Sequence, residues 1–526
     1  MLSAAARRAC SALAAKLLRE ASKSSPVSAP TATGRALLSP SSSSTSASTS
    51  SSAPSPSSPG IEFSGGVRVP HTTTLAFVGG AGYGTSGALH PDLLAAVASE
   101  ARGGGGGEAA AAAARRFAAR PLPAYWTIDF AGNDVGTASA ADVDADDGRG
   151  DGDDDLDEGR AVALYSSIAR LQALDAVFYE AQRQGRFAFY MTSAGEEATA
   201  VGSAAALKTS DPVFAQYREQ GVLLHRGFSF ADFANQCFGN ELEPGRGRQM
   251  PIHYGSKKLA FHTVSSPLAT QLPQAVGAAY ALSREQSGRG LGERNVAVAY
   301  FGDGASSEGD FHAAANFAAV LAGRGGADGG GDAAAAAGGT PLLLICRNNG
   351  WAISTPTTEQ YAGDGIAGRG PAYGIPSIRV DGGDARAVWR ATKRAREIAL
   401  RRRGPVLIEC IAYRAGHHST SDDASRYRGG ADASAALLRD PGARFAAWLR
   451  TRGWWDDGRE QALRRSSRKE AVAALGAAEK VPRARLSSMF EDVYDEVPAH
   501  LAEQREKAME FAARHGEVLP SGVRAE

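Results

Sequence analysis

Three short apolar runs, Asn295–Phe301, Pro341–Cys346 and Pro405–Ile411, are separated by helix-like segments such as Phe311–Ala322 and Ala385–Arg402. Continuous apolar runs of this length suit strands that are buried on both faces. Strands alternating with helices predict an α/β fold, a mostly parallel sheet with helices on both faces. Ahead of them, Ala161–Gln184 carries Leu164, Ile168, Leu171, Leu174 and Val177 at helical spacing and predicts a helix. Residues 432–516 are polar and helix-like, with Trp454, Trp455, Phe490 and Val493 as apolar anchors, and predict a helical C-terminal extension.

The rest of the 526 residues divides by composition. Residues 1–60 carry Arg7, Arg8, Lys16, Arg19, Lys23 and Arg35 against the single acid Glu20, and are rich in serine. That is the pattern of an organellar transit peptide, mitochondrial or plastid. Residues 61–159 read as an irregular segment holding a Gly/Ala tract, Gly103–Ala114, and an acidic run over 142–158. The run lacks the glycine that a calcium loop needs in place of Asp147, so it reads as a solvated insert. Residues 160–430 are the α/β domain, interrupted by a second Gly/Ala insert, Gly323–Gly339, and 431–526 are the helical region. Formal net charge is zero, and no basic face argues for nucleic acid. The four cysteines form no CxxC pair, so neither a zinc site nor a disulfide framework is indicated. No uninterrupted apolar run approaches the roughly 18 residues of a membrane span.

In an open parallel sheet, ligands bind beyond the carboxyl ends of the strands. Two strand ends here are unusual. One reads Gly302-Asp303-Gly304-Ala305, followed by a helix. Its glycines let main-chain amides approach an anion, and Asp303 offers a hard carboxylate oxygen. The other reads Arg347-Asn348-Asn349-Gly350-Trp351, which supplies a cation, amide oxygens and a turn. A diphosphate with a magnesium ion would use all of these, with Asp303, the Asn349 side-chain oxygen and the Trp351 carbonyl as protein ligands.

The pair Gly302-Asp303-Gly304 and Asn348-Asn349 resembles the thiamine diphosphate motif. The stretch between its halves is longer than the family pattern, and the Gly/Ala insert accounts for the excess. From about Tyr165 onward, the chain resembles the alpha subunit of the branched-chain 2-oxoacid dehydrogenases. In that resemblance Tyr217 and Arg218 hold the diphosphate together with Arg347, Gly302, Gly304 and Ala305. Ser266 and Leu268 belong to a loop at the pyrimidine end. Ser265, Pro267, Thr270 and Gln271 match positions that wrap a potassium ion. The stretch Tyr413–Arg428 holds His417 and His418, which by themselves read as surface residues or metal ligands. By resemblance, His418 is the catalytic histidine beside the diphosphate and Ser419 is a regulatory phosphorylation site. Arg414, Asp422, Tyr427 and Arg428 match a network that orders this loop. The family's second, lesser phosphorylation position is Gly429 here.

The resemblance implies decarboxylation of a branched 2-oxoacid, with acyl transfer to the lipoyl group of a transacylase component. It implies thiamine diphosphate, magnesium and potassium, an assembly of two alpha and two beta chains, a regulatory kinase and phosphatase, and the mitochondrial matrix. A pyruvate dehydrogenase alpha subunit and a non-catalytic regulatory subunit of the same fold are the alternatives. His417–Asp423 and Gly453-Trp454-Trp455 favour the branched-chain type, and the retained Asp303, Asn349, Arg347, Tyr217, Arg218 and His418 speak against loss of the cofactor.

Overall fold

The computed structural model describes residues 60–62, 68–72, 122–135, 155–323, 339–428 and 440–525. The transit-like segment apart from Gly60, the first Gly/Ala tract, the second apart from Gly323 and Gly339, most of the acidic run and Gly429 lie outside them.

The strands are β1 (Gly60–Glu62), β2 (Arg68–Thr72), β3 (Ala124–Tyr125), β4 (Val213–Phe214), β5 (Phe261–His262), β6 (Ala297–Gly302), β7 (Leu342–Asn348), β8 (Trp351–Ala352), β9 (Thr355–Pro356), β10 (Ser377–Asp381) and β11 (Pro405–Ile411). The main sheet has the order β1-β2-β3-β10-β11-β7-β6-β4-β5, and β8 and β9 form a separate hairpin. Every pairing from β2 to β5 is parallel, and β1 joins the edge antiparallel. Strands β1, β2 and β3 come from the segment whose sequence reads as irregular. They are too short to leave a periodic signal.

The three apolar runs form the centre of the sheet as expected. Their side chains alternate between two hydrophobic clusters, one on each face. Val298, Tyr300, Leu343, Ile345, Val406 and Ile408 join one cluster. Ala297, Ala299, Phe301, Leu342, Leu344 and Leu407 join the other. Burial on both sides explains why these strands read as continuous apolar runs. The register pairs Gly302 with Arg347 and Asn348 with Ile411, so three strands end side by side.

The first helix, α1 (Glu158–Arg183), starts at Asp157, whose side chain accepts the Arg160 amide at 2.8 Å. By length and composition it is apolar enough to cross a membrane, unlike the expectation from unbroken runs. It is instead a core helix, burying Leu164, Ile168, Leu171, Leu174 and Phe178. At its middle Asp175 accepts hydrogen bonds from Tyr190 Oη (2.8 Å) and Ser193 N (2.6 Å). The helix α2 (Glu197–Ala205) follows, then α3 (Gln220–His225), α4 (Phe230–Phe238), α5 (Gln271–Glu285) and α6 (Gly309–Gly323). After the second insert the chain is pinned again at once: Thr340 Oγ1 donates to Ala318 O at 2.7 Å and Thr340 N to Arg403 O at 2.8 Å. The insert thus leaves the β6–β7 register intact.

Two further helices, α7 (Thr357–Gln360) and α8 (Ala385–Arg402), are followed by three C-terminal ones, α9 (Pro441–Thr451), α10 (Asp457–Ala478) and α11 (Ala499–Arg514). The C-terminal helices are not a separate appendage, because residues 58–526 form one compact unit. Trp448 and Leu475 share a cluster with Leu164, and buried Arg444 bonds Asp381 at 2.8 Å. Of the expected anchors, Trp455 and Phe490 are buried and Trp454 is half-buried, but Val493 is 55 % exposed. It falls in an irregular stretch between helices and has no packed face. The acidic run also needs correction at its end. Asp155 accepts from Arg386 Nε at 2.9 Å and pairs with Arg390 at 3.1 Å, while Asp157 caps α1, so these two carboxylates are structural.

Candidate functional site

The adjoining ends of β6, β7 and β11 carry most of the residues singled out from the sequence. Gly302 N donates to Gln216 Oε1 at 2.9 Å, which ties the end of β6 to the chain leaving β4. A Cβ on Gly304 would lie 2.8 Å from the Ala352 Cβ, so this position accepts glycine alone without a shift of the β8–β9 hairpin. Asp303 is 2 % exposed. One carboxylate oxygen accepts from Gln360 Nε2 at 2.8 Å. Burial raises its pKa above the ordinary carboxylate value, and the Gln360 bond and nearby Arg347 only partly oppose this. A desolvated carboxylate with so little compensation fits a cation partner. Asn349 Oδ1 accepts from Trp351 N at 3.1 Å, and its Nδ2 donates to Glu196 Oε1 at 3.0 Å. Trp351 faces Pro356 across the hairpin, which has no N–H to give its carbonyl. Asp303, Asn349 and Trp351 thus offer oxygen ligands of the kind magnesium takes.

Arg347, expected to supply a cation, is paired on two sides. Its Nη1 donates to Glu196 Oε2 at 2.6 Å and its Nε to Glu219 Oε1 at 2.9 Å, all three groups being buried. Only Nη2 has no partner, and it is buried. The guanidinium therefore brings one orphaned donor, but not a net positive charge, to the strand ends. Arg414 Nε is likewise buried and unpaired. Orphaned buried donors are uncommon and fit an anionic ligand.

Tyr217 and Arg218 follow β4 and face the loop after β11. Arg218 is 2 % exposed, and it donates to Thr192 O at 2.7 Å and to His418 O. The Tyr217 hydroxyl lies 3.3 Å from His418 Nε2. Burial first, then Arg218 and Arg414, push the His418 imidazole down to about 3. It is neutral at physiological pH, so one ring nitrogen carries a proton and the other a lone pair. The four residues expected to order the loop meet. Asp422 Oδ2 accepts from His418 N (2.8 Å) and Tyr427 Oη (2.6 Å), Arg414 Nη2 donates to Tyr427 Oη (2.9 Å), and Arg428 donates to the carbonyls of Arg414 and Gly416. His417 Nδ1 accepts from Ala424 N at 2.9 Å and caps a turn. Ser419 is 8 % exposed, and its hydroxyl accepts from Ser421 N at 3.2 Å.

The loop before α5 brings oxygens together. Thr270 Oγ1 lies 3.5 Å from Ser265 Oγ and 3.2 Å from Pro267 O. Gln271 Nε2 donates to Tyr300 O at 2.8 Å, which leaves its amide oxygen at the other end. An all-oxygen set of this kind suits a hard monovalent cation. Ser266 is exposed and bonds His253 Nε2 at 2.7 Å, while Leu268 packs partly into the cluster under the sheet. Ala305, expected to offer its amide, is buried just beyond Gly304.

Sequence reasoning missed the carboxylates behind this site, Glu196 and Glu219, together with Gln216 and Gln360. Gln216 and Glu219 flank Tyr217-Arg218, Glu196 stands beside Glu197 and Gln360 follows Glu359, and nothing in these local stretches tells which side chain each will meet. The available signals were the doublet Glu196-Glu197 after a glycine and the closeness of Gln216 and Glu219 to Tyr217-Arg218. Glu197 yields a pH test. Burial, with Asp440 and Asp175 nearby, pushes its carboxyl up to about 8 from an ordinary value of 4.5. With the folded value above the unfolded one, its stabilising contribution is complete below pH about 4.5 and is lost as pH rises towards 8. Glu197→Gln is therefore expected to raise stability at pH 8 by roughly 2 kcal/mol and by less at pH 6. Equal losses at both pH values in thermal melts would contradict this.

The family model described as dehydrogenase E1 component matches residues 166–487. The 2-oxoisovalerate dehydrogenase subunit alpha 2, mitochondrial, of Arabidopsis thaliana is 50 % identical over 369 residues, 70 % of this chain and 73 % of that one. The subunit alpha of the same name is 49 % identical in Homo sapiens, over 69 % of this chain and 77 % of that one. It is 48 % identical in Caenorhabditis elegans, over 69 % and 80 %.

Proposed function

Because the chain belongs to the dehydrogenase E1 component family, we propose that it is the alpha subunit of a thiamine-diphosphate-dependent dehydrogenase of branched-chain 2-oxoacids. The observation that carries the reading is a convergence at the strand ends. Asp303, the Asn349 oxygen, the unpaired Arg347 and Arg414 donors, Arg218 and a neutral His418 gather there. The relatives' names favour branched acids over pyruvate.

Thiamine diphosphate, when bound, supplies the carbon nucleophile and the electron sink for loss of carbon dioxide. The chain binds and orients it. Asp303, Asn349 and the Trp351 carbonyl hold magnesium. Tyr217, Arg218, Arg347 and the amides around Gly302, Gly304 and Ala305 hold the diphosphate. Ser266 and Leu268 meet its pyrimidine end, and Ser265, Pro267, Thr270 and Gln271 hold potassium. Neutral His418 would hold or move a proton at Nε2, beside the Tyr217 hydroxyl, for the acyl transfer to the lipoyl group of the transacylase component. The loop Arg414–Arg428 keeps His418 in place, and a kinase and phosphatase acting on Ser419 control it. The protein works in the mitochondrial matrix.

The name alpha subunit, shared by the relatives, supports a beta partner, here in an assembly of two alpha and two beta chains. Carbon dioxide release from a branched 2-oxoacid is expected only when both chains, thiamine diphosphate and magnesium are present. Full activity of this chain alone would overturn the subunit reading.

A further inference from the structure

We propose that Glu196 is a positioning residue for the magnesium site: by accepting the Asn349 amide N–H, its buried carboxylate fixes which end of that amide is left for a cation. This rests on the functional reading above. A side-chain amide has two ends of nearly equal shape, and only the oxygen can bind a cation. Turned around, Asn349 would present N–H groups that repel one. Glu196 Oε1 accepts from Asn349 Nδ2 at 3.0 Å, and on the other side Trp351 N donates to Asn349 Oδ1 at 3.1 Å. Both contacts select the same orientation.

The carboxylate is firmly held. Glu196 is 1 % exposed, its amide donates to Ser193 O at 2.8 Å, and its carbonyl accepts from Ala200 N at the start of α2. Its second oxygen accepts from Arg347 Nη1 at 2.6 Å. Arg347 already has a buried carboxylate in Glu219, at 2.9 Å. A second buried carboxylate is costly unless hydrogen bonds satisfy its remaining lone pairs. The Asn349 amide supplies such a bond, and Glu196 thereby links the two halves of the strand-end motif, Arg347 and Asn349, through one side chain.

The test uses the assembled alpha–beta protein at fixed thiamine diphosphate, with magnesium titrated and thermal stabilisation as the readout. Glu196→Gln is expected to raise the half-stabilising magnesium concentration by about 10- to 100-fold, the usual range for a residue that orients a metal ligand. At saturating magnesium the KM for the 2-oxoacid should be unchanged. The deciding comparison adds the same change to Asn349→Asp, which offers an oxygen at either end. There Glu196→Gln is expected to cause no further weakening. An equal weakening in both backgrounds would overturn the proposal, because the effect would then run through Arg347 or packing. If Glu196→Gln does not assemble, Glu196→Asp keeps the charge but withdraws the acceptor, and the same comparison decides. A wild-type assembly indifferent to magnesium would overturn the functional reading itself.

Discussion

Replacing Asp303 by asparagine is expected to lower the activity of the assembled enzyme by roughly 100-fold or more, beyond what loss of an outer-shell partner costs. The same change should leave the cofactor-free protein at least as stable as before. The two effects have opposite signs for one physical reason. Asp303 is buried at the end of β6, and Gln360 is a weak compensation for its charge. Its folded pKa is raised by burial, so its ionised form costs stability at neutral pH. Asparagine keeps the shape and removes that cost, along with the anionic oxygen that a cation needs. Thermal melts with and without thiamine diphosphate and magnesium separate the two effects. The variant should melt no lower than wild type without ligands and gain little from adding them. A variant that melts well below wild type without ligands would make Asp303 a structural residue instead.

Ser419→Glu is the second large effect, expected to reduce activity on the order of 100-fold, the equivalent of roughly 3 kcal/mol for burying an unpaired carboxylate. Ser419 is 8 % exposed, and its hydroxyl takes the Ser421 amide in a turn next to His418. A charge there must either be desolvated or break the turn. The neighbouring Asp422 already holds the His418 amide and the Tyr427 hydroxyl, so a second carboxylate adds like-charge repulsion. The loop is expected to open and become a site of proteolytic nicking, which limited digestion reads directly. Ser419→Ala removes only one half-exposed hydrogen bond, about 1 kcal/mol, and should stay within roughly tenfold of wild type. A protected loop and wild-type activity in Ser419→Glu would remove Ser419 from the regulatory role. Because Ser419 is buried, an enzyme that modified it would need the loop opened first.

The central fold was legible because burial leaves a plain record. Leu342–Asn348 and Pro405–Ile411 lie buried along their whole length, and their apolar runs show it. Strands β2 and β3 were not legible, since runs of two to five residues carry no period. At the site, the structure places Asp303, Asn349, Tyr217, Arg218 and His418, all named from short motifs, around the strand ends. Their supports were not so named, because Glu196 and Glu219 are defined by partners 151 and 128 residues away in sequence. The same long-range pairing bears on Arg347, whose sequence shows a cation but not the two carboxylates that hold it. Asp155 was misread for that reason too, since an acid in an acidic run shows nothing of the arginine that will neutralise it.

The most direct measurement is carbon dioxide release by this chain assembled with a matching beta subunit, with thiamine diphosphate and magnesium present. Branched 2-oxoacids would be compared with pyruvate over a range of concentrations. A higher kcat/KM for the branched acids is the expected result. Preference for pyruvate would contradict the substrate assignment, and no release from either acid by a folded, cofactor-bound assembly would contradict the catalytic role of the chain.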